Sequence, residues 1–233
     1  MTEEPRVEAI TDIPFELDVE ALLKKAHIDP DSDDADEFAA LVNKAQEVGR
    51  PKAIYKESYI DARGDETVTI DGATFTSRAL RKNLDTIERV FPYVATCGKE
   101  ADAIEIPQGD FLKEFWLDTI KADLLGVSYR YLSTLVHQQY RPGKTSTMSP
   151  GSGDVAVWPI EQQNELFSLF GDVEDLIGVR LTESCLMLPN KSISGILFPT
   201  EIGFQSCQLC HRENCSGRRA PFDKELWESV RHD

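Results

Sequence analysis

The chain has 233 residues, of which 41% are hydrophobic and 28% are charged, and its formal net charge is -16. The hydrophobic share is that of a globular protein, and the length suffices for one large domain with its own core. Such an excess of negative charge repels phosphate backbones, so nucleic acid is not an expected partner. The sequence has no apolar run long enough to span a membrane and no signal peptide, which predicts a cytoplasmic protein without a membrane segment.

The first part of the chain alternates predicted helices with β-rich segments. Residues 1–50 are an acidic, helical N-terminal segment, followed by a predicted domain over 51–203. Apolar residues at helical spacing predict helices at 15–26, 35–48 and 78–89. Bulky and β-branched residues predict strands at 53–62, 66–75 and 90–96. The first two of these strands are expected to pair through a turn at Arg63-Gly64-Asp65.

The longest predicted helix begins after Asp110, a good N-cap residue, and continues to about His137. Its inward positions are expected at Leu117, Ile120, Leu124, Val127, Tyr131 and Leu135. Residues 141–147 are predicted to be a loop. Further strands are predicted at 179–188 and 192–198, and a final helix at 223–230.

A tight loop that leads into a helix lies at 148–163. Pro150, Gly151 and Gly153 allow the backbone to turn sharply and to approach a ligand closely. Pro159 suits the start of the helix, and Gly171 is expected to end it. An ordinary junction between a loop and a helix is the alternative interpretation.

Two blocks around this loop resemble a known family. The first contains Pro150 to Gly153, Trp158-Pro159, Glu161 to Gln163 and Leu166-Phe167, and the second is LTESCLMLPNKSISGI at 181–196. Together they resemble the activation domain of cobalamin-dependent methionine synthase, and in particular its free-standing single-domain relatives that end in a cysteine cluster.

The resemblance implies a C-shaped α+β domain with a twisted antiparallel sheet and surrounding helices. It also implies docking on a corrinoid protein or cobalamin-dependent methyltransferase, whose oxidised cobalt is then reduced and remethylated, and a further protein as reductant. The residues that would face the corrinoid or a small ligand are Ser149, Pro150, Gly151, Gly153, Asp154, Thr182, Glu183, Ser184, Lys191 and Ser194. For the second block, hydrogen bonding to the local backbone is the alternative role.

One departure from the family concerns S-adenosylmethionine. The family has an arginine four residues before the loop glycine and a tyrosine directly after it, and this chain has Thr147 and Ser152 there. Because a threonine and a serine supply neither a guanidinium nor a ring, the departure argues against binding of S-adenosylmethionine.

The tail at 204–233 carries Cys207, Cys210 and Cys215 in the spacing C-x2-C-x4-C, close to Arg212, Arg218 and Arg219. Closely spaced thiolates in a turn-rich segment can converge on one metal or cluster. His211 is poorly placed to be a fourth ligand, which leaves Cys97, at the end of a predicted strand, and Cys185; we favour Cys97. A [4Fe-4S] cluster is expected in preference to zinc because it would give electrons a path to cobalt.

Three functions follow from the sequence. The first is reductive reactivation of a corrinoid protein through a cysteine-ligated cluster. The second is a docking module for a corrinoid protein, with structural zinc. The third is remethylation of cobalamin with S-adenosylmethionine. The sequence contains no pair of catalytic carboxylates, no nucleophile triad and no phosphate-binding glycine motif that would indicate a self-contained enzyme.

Overall fold

The computed structural model describes residues 6–154, 156–201, 203–215 and 217–230. Within these residues the fold is α+β, with one large antiparallel sheet, a small hairpin and surrounding helices in a single domain. The strands are β1 Val7–Ile10, β2 Lys52–Lys56, β3 Ser58–Arg63, β4 Thr67–Ile70, β5 Ala73–Thr76, β6 Arg89–Thr96, β7 Thr145–Met148, β8 Arg180–Leu181, β9 Met187–Leu188 and β10 Ser192–Pro199. The helices are α1 Val19–Ala26, α2 Asp33–Val48, α3 Arg78–Asn83, α4 Lys99–Asp102, α5 Phe111–Tyr140, α6 Gln163–Ser168, α7 Val173–Ile177 and α8 Lys224–Val230. The predicted α+β class with an antiparallel sheet is confirmed.

Strand β6 is the centre of the large sheet, because it pairs with β10 along one edge and with β2 and β3 along the other. Beyond β10 the sheet continues to β7, and beyond β2 and β3 it continues to β1 and to the β4–β5 pair. Apart from Arg89 at its start, the β6 residues are buried, and most of them are apolar, as expected for a strand covered on both faces.

The predicted strand at 53–62 corresponds to β2 and β3, which keep one register against β6. Tyr55 pairs with Tyr93 and Ser58 with Val90, so the ladder lapses where Lys56 comes opposite Pro92. A proline has no N–H to donate, which explains the interruption. The predicted hairpin from β3 to β4 is confirmed, but the segment 66–75 turns back on itself at Asp71-Gly72 and forms two strands.

Three other expectations were wrong, and one strand was missed. Residues 141–147 are not all loop, because Thr145–Met148 pairs with the end of β10. Residues 179–188 form the two-residue strands β8 and β9 instead of one long strand. Strand β1 was not predicted at all. The helix predicted at 78–89 ends at Asn83.

The long helix α5 begins as predicted, with the Asp110 carboxylate accepting a hydrogen bond from the Lys113 backbone N–H at 3.0 Å. Its first inward residues, Leu117, Ile120 and Leu124, are buried as expected. Farther along, the buried positions are Ser128, Leu132 and Val136, spaced by four residues, instead of Val127, Tyr131 and Leu135. None of the described helices is long and apolar enough to span a bilayer.

The cysteine-bearing tail packs on the main core and does not form a separate layer. Leu209 and Val230 are buried in the same apolar cluster as Trp158, Phe198 and Val94. Helix α8 contributes Leu226 and Trp227 to the edge of this cluster. The tail is therefore held against the sheet by apolar contacts near both of its ends.

Candidate ligand pocket between the glycine loop and the cysteine tail

The residues 149–154, here called the glycine loop, connect β7 to the segment that leads into α6. Gly151 and Gly153 have positive φ angles of 74° and 92°. A Cβ atom at Gly151 would lie 3.0 Å from the side chain of Ile160, and one at Gly153 would lie 3.2 Å from the backbone oxygen of Ser206. Glycine is thus required at both positions, for the backbone conformation and for the close approach of a neighbouring group. The group that approaches Gly153 belongs to the tail.

Trp158 anchors the chain directly after the glycine loop. Its ring is fully buried and meets Phe75 edge to face, with the ring centroids 5.9 Å apart. Its Nε1–H donates to Gln162 Oε1 at 3.0 Å, and the Gln162 amide in turn bonds both backbone groups of Thr76. This junction fixes the exit of the loop against β5.

The part of the tail that carries the cysteines is organised around the guanidinium of Arg218. That group donates hydrogen bonds to the backbone oxygens of Cys207, Cys210, Ala220 and Arg212. Five fixed donors suit a guanidinium to hold several carbonyls at once. Two of the cysteines are thereby positioned through their backbone.

Asp154 joins the glycine loop to the tail. Its Oδ2 accepts a hydrogen bond from Trp227 Nε1 at 3.0 Å and lies 3.6 Å from His211 Nδ1. The His211 ring is packed between two aromatic rings, with centroid distances of 4.3 Å to Phe222 and 4.7 Å to Trp227. One carboxylate thus ties together the loop, the cysteine segment and α8.

The three cysteines line one open cavity of about 630 Å³, here called the cysteine cavity, together with Ser152, Gly153 and Asp154 of the glycine loop. Cys207 and Cys210 are half-buried, and Cys215 is exposed. The glycine loop and the cysteine tail, predicted separately as functional, therefore form two walls of one cavity.

A second cavity of about 260 Å³, here called the tyrosine cavity, lies beside the first. Ser152, Ser206 and Cys207 belong to the walls of both. The other wall residues are Tyr93, Tyr129, Thr147, Ser149, Ile193, Gln205, Gly217 and Arg219. Thr147 and Ser152, where the family has its arginine and tyrosine, therefore face the same space as Arg219.

Burial raises the pKa of the Tyr93 phenol, and the Tyr93 hydroxyl forms a hydrogen bond of 2.9 Å with Thr147 Oγ1. Burial also raises the pKa of Tyr129, while the nearby Arg219 guanidinium opposes that rise. Both phenols are therefore neutral at ordinary pH, and the Tyr93 hydroxyl is already hydrogen-bonded within the wall to Thr147, Ser149 and Tyr129.

The fit to a metal is incomplete. Among the described residues, no group of three or more His, Cys, Asp or Glu side chains is arranged so that it could hold a metal ion. Three thiols share a cavity, but they do not form a ready ligand set for zinc or for an iron–sulfur cluster.

The structure does not bring Cys97 to the other three cysteines. Cys97 is fully buried in the apolar cluster with Trp116 and Ile120, and it is not part of the cysteine cavity. Burial raises the pKa of its thiol to about 12, so the thiolate that a metal requires is disfavoured. Cys185 is also buried, beside Asn164, as a small apolar residue.

The second family-like block does not contribute to either cavity except through Ile193. Ser194 is buried and donates to Gln163 Oε1 at 2.7 Å, which ties β10 to α6. Lys191 forms an ion pair of 2.7 Å with Asp118 on α5. Thr182 and Ser184 bond each other in the exposed turn of the small hairpin that also carries Glu183.

Tyr93 and Tyr129 were not predicted as site residues because both lie in elements whose sequence pattern is typical of the protein core. Tyr93 is a central residue of β6, and Tyr129 is on α5 one position after the buried Ser128. Arg219 was noted, but as a neighbour of the cysteines. A basic residue in a chain with a net charge of -16 was the available signal for the tyrosine cavity.

The described fold belongs to a known structural class. It is similar to a solved structure described as the MetH reactivation domain bound to AdoHcy, with a TM-score of 0.56 and 19% identity over 80% of this chain and 67% of that chain. At this identity the similarity establishes the fold.

Part of the chain also matches a known family by sequence. Residues 128–215 match the family described as the activation domain of vitamin B12 dependent methionine synthase. The matched segment runs from the middle of α5 through the glycine loop and β10 to Cys215. It therefore contains the lining residues of the cysteine cavity and most of those of the tyrosine cavity. The resemblance inferred from the two blocks is thus confirmed. No curated protein matches the chain.

Proposed function

We propose that this chain is an accessory protein that docks on a corrinoid protein or cobalamin-dependent methyltransferase and helps to return its oxidised cobalt to the active state. The observation that carries the proposal is that the segment matched by the activation-domain family, 128–215, contains the glycine loop and all three clustered cysteines. These two features line the same cavity, the cysteine cavity. A family-like segment that retains an open cavity is suited to a ligand or a partner.

We further propose that Cys207, Cys210 and Cys215 supply the redox or metal chemistry of this protein. Support comes from their spacing and from their shared cavity, in which Cys210 and Cys215 are open to solvent at least in part. Because the three thiols are not arranged as a complete ligand set, a cluster would require movement of the tail or a ligand from outside the described residues. No step of the proposed reactivation depends on that cluster.

The internal contacts of the second block narrow the set of residues at which a ligand is expected. Ser194 and Lys191 already have internal partners, so the corrinoid or small ligand is expected at Ser149, Gly153 and Asp154, which line the two cavities, rather than at 182–194. Pro150 and Gly151 line neither cavity and only shape the loop. Thr147 and Ser152 still argue against an adenosylmethionine site of the family's usual form.

The first experiment measures the metal, the sulfide and the visible spectrum of protein purified without oxygen. Iron with sulfide and an absorption band bleached by dithionite would support a redox cluster. Stoichiometric zinc without colour would support the docking module instead. Protein with neither would leave unligated thiols as the chemistry of the cavity.

The second experiment tests the function itself. A corrinoid protein in the cob(II)alamin state is given a chemical reductant with and without this chain, and the decay of the cob(II)alamin absorbance is followed. We expect a faster decay with the chain and a loss of that effect in Cys207→Ser. Cys185→Ser is the matched control, since Cys185 lies outside both cavities. Equal rates with and without the chain, together with no detectable binding, would refute the proposal.

A further inference from the structure

Among the described residues, the wall of the tyrosine cavity contains one basic side chain, that of Arg219, which is exposed to solvent. Within the described part of the chain, no hydrogen bond or ion pair is formed by the guanidinium of Arg219. The neighbouring Arg218 differs, since its guanidinium donates to four backbone oxygens. Of two adjacent arginines, one is structural and the other faces a cavity.

The position of Arg219 is fixed by its backbone. Its N–H donates to the Sγ atom of Cys207 at 3.4 Å, and Arg218 on its N-terminal side is held by four hydrogen bonds. The guanidinium is close enough to Tyr129 to act on the ionisation of that phenol. A guanidinium on a fixed backbone, with free donors, suits two-point binding of a planar anion.

The rest of the cavity wall fits the remainder of a small organic ligand. The wall contains the hydroxyl groups of Thr147, Ser149 and Ser152, which can donate or accept hydrogen bonds. It also contains Ile193 and the rings of Tyr93 and Tyr129, whose centroids are 5.4 Å apart. An apolar wall with a few convergent polar groups is the usual composition of a small-molecule site.

The charge balance limits the ligand to a single negative charge. Arg219 is the one basic residue in the described wall of this cavity, and the chain as a whole has a net charge of -16. A second negative charge on the ligand would find no partner in the wall and would be repelled by the protein. A monocarboxylate matches this arrangement, whereas a phosphate dianion does not.

We propose that the tyrosine cavity binds the carboxylate group of a small organic molecule through Arg219, with the apolar part of the molecule against Tyr93, Tyr129 and Ile193. Arg219 lies beyond the family-matched segment, which ends at residue 215. The charge is therefore supplied by a part of this chain that the family match does not include. The site adjoins the pocket of the proposed function, but its occupancy requires neither a corrinoid nor a metal.

The test uses the full chain and three probes: phenylacetate, its neutral analogue phenylacetamide, and inorganic phosphate. Binding is measured by calorimetric titration or by ligand-observed nuclear magnetic resonance. We expect phenylacetate to bind about tenfold more tightly than phenylacetamide, which has the same shape without the charge. Phosphate is expected to bind more weakly than phenylacetate.

Variants then assign the binding to the cavity. Arg219→Gln should weaken phenylacetate about tenfold and make the acid and the amide equal, and Arg219→Lys should restore part of the difference. Arg212→Gln is the control, because it removes the same charge from a residue that lines the cysteine cavity and not the tyrosine cavity.

Several outcomes would overturn the inference. These are equal binding of acid and amide to the unmodified protein, no binding of either, tighter binding of phosphate, or equal loss in Arg212→Gln and Arg219→Gln. Failure of the cobalamin assay alone would leave the carboxylate site standing. Failure of phenylacetate binding would leave the proposed function standing.

Discussion

The two blocks that resemble the activation domain differ in what their polar side chains do. In the block at 182–194, the side chains of Ser194, Ser192 and Lys191 are bonded to other parts of the chain. In the glycine loop, Ser152 lines both cavities beside Cys207 of the tail, and Ser149 lines the tyrosine cavity, where its side chain also hydrogen-bonds Tyr93. The internal hydrogen bonds and ion pairs of the second block indicate a role in the stability of the fold, whereas a residue that lines a cavity is available to a ligand.

The largest expected effect would come from the buried pair in the second block. Ser194→Ala removes the donor to Gln163 Oε1 and leaves a buried amide oxygen unsatisfied, so the free energy of unfolding should fall by about 1–3 kcal/mol. Ser184→Ala, in an exposed turn, should change it by less than about 0.5 kcal/mol. Urea denaturation measures both.

The same two variants test the comparison between the blocks. Neither should alter the affinity for phenylacetate or the effect on cob(II)alamin. If Ser194→Ala abolished either property while the folded fraction stayed high, the second block would have to be assigned to the site.

An intermediate effect is expected at the contact between the glycine loop and the tail. Gly153→Ala and Gly109→Ala both place a side chain at a positive φ, 92° and 88°, and each should cost about 1–2 kcal/mol. Only Gly153→Ala also presses a Cβ against Ser206 O, whereas nothing lies within 4 Å at Gly109. We therefore expect Gly153→Ala alone to displace the tail.

Thiol reactivity reports that displacement. Cys207 and Cys210 should react faster with a soluble disulfide reagent in Gly153→Ala than in Gly109→Ala, at matched stability. Equal reaction rates in the two variants would mean that the loop does not hold the tail in place.

The smallest expected effect is a change in the ionisation of Tyr129. Burial raises the pKa of this phenol and the Arg219 guanidinium lowers it, so Arg219→Gln should raise the pKa further. The phenolate absorbance is followed against pH, and Tyr129→Phe identifies the contribution of Tyr129. A pKa that stayed unchanged would place the guanidinium away from the cavity.

Tyr129 also has a consequence for stability at high pH. Because its folded-state pKa is raised, its contribution is fully present below the ordinary tyrosine pKa of about 10 and is lost as the pH rises through the folded-state value. Arg219→Gln should extend that loss to higher pH and enlarge it, because the folded-state pKa rises while the unfolded-state pKa stays the same.

The elements that could be predicted are those specified by local signals. Asp110 marks the start of α5 by its capping side chain, and the apolar run of β6 marks a buried strand. Strand β1 and strand β7 have only four residues each, and their pairing with distant strands is not encoded locally. The shift of the buried face of α5 to Ser128 depends on which neighbours the helix meets.

For the candidate site, the sequence identified the glycine loop and the cysteine trio but not their relation. The close approach predicted for Gly153 is real, but it is toward the tail at Ser206. The choice of Cys97 failed because the end of a strand can be buried under helices, as it is beside Trp116. The sequence does not distinguish the structural role of Arg218 from the role of its neighbour Arg219. That difference depends on how the folded tail arranges the backbone carbonyl groups around Arg218.

The wall shared by the two cavities has a thermodynamic consequence. Cys207 lines both cavities, and its sulfur accepts a hydrogen bond from the backbone N–H of Arg219. Anything that captures or oxidises that sulfur also acts on the backbone that carries the guanidinium. By linkage, the factor by which a ligand in one cavity changes affinity in the other holds equally in the reverse direction. Binding of a carboxylate at Arg219 would thus change the affinity of the cysteines for their ligand, and binding at the cysteines would change the affinity for the carboxylate by the same factor.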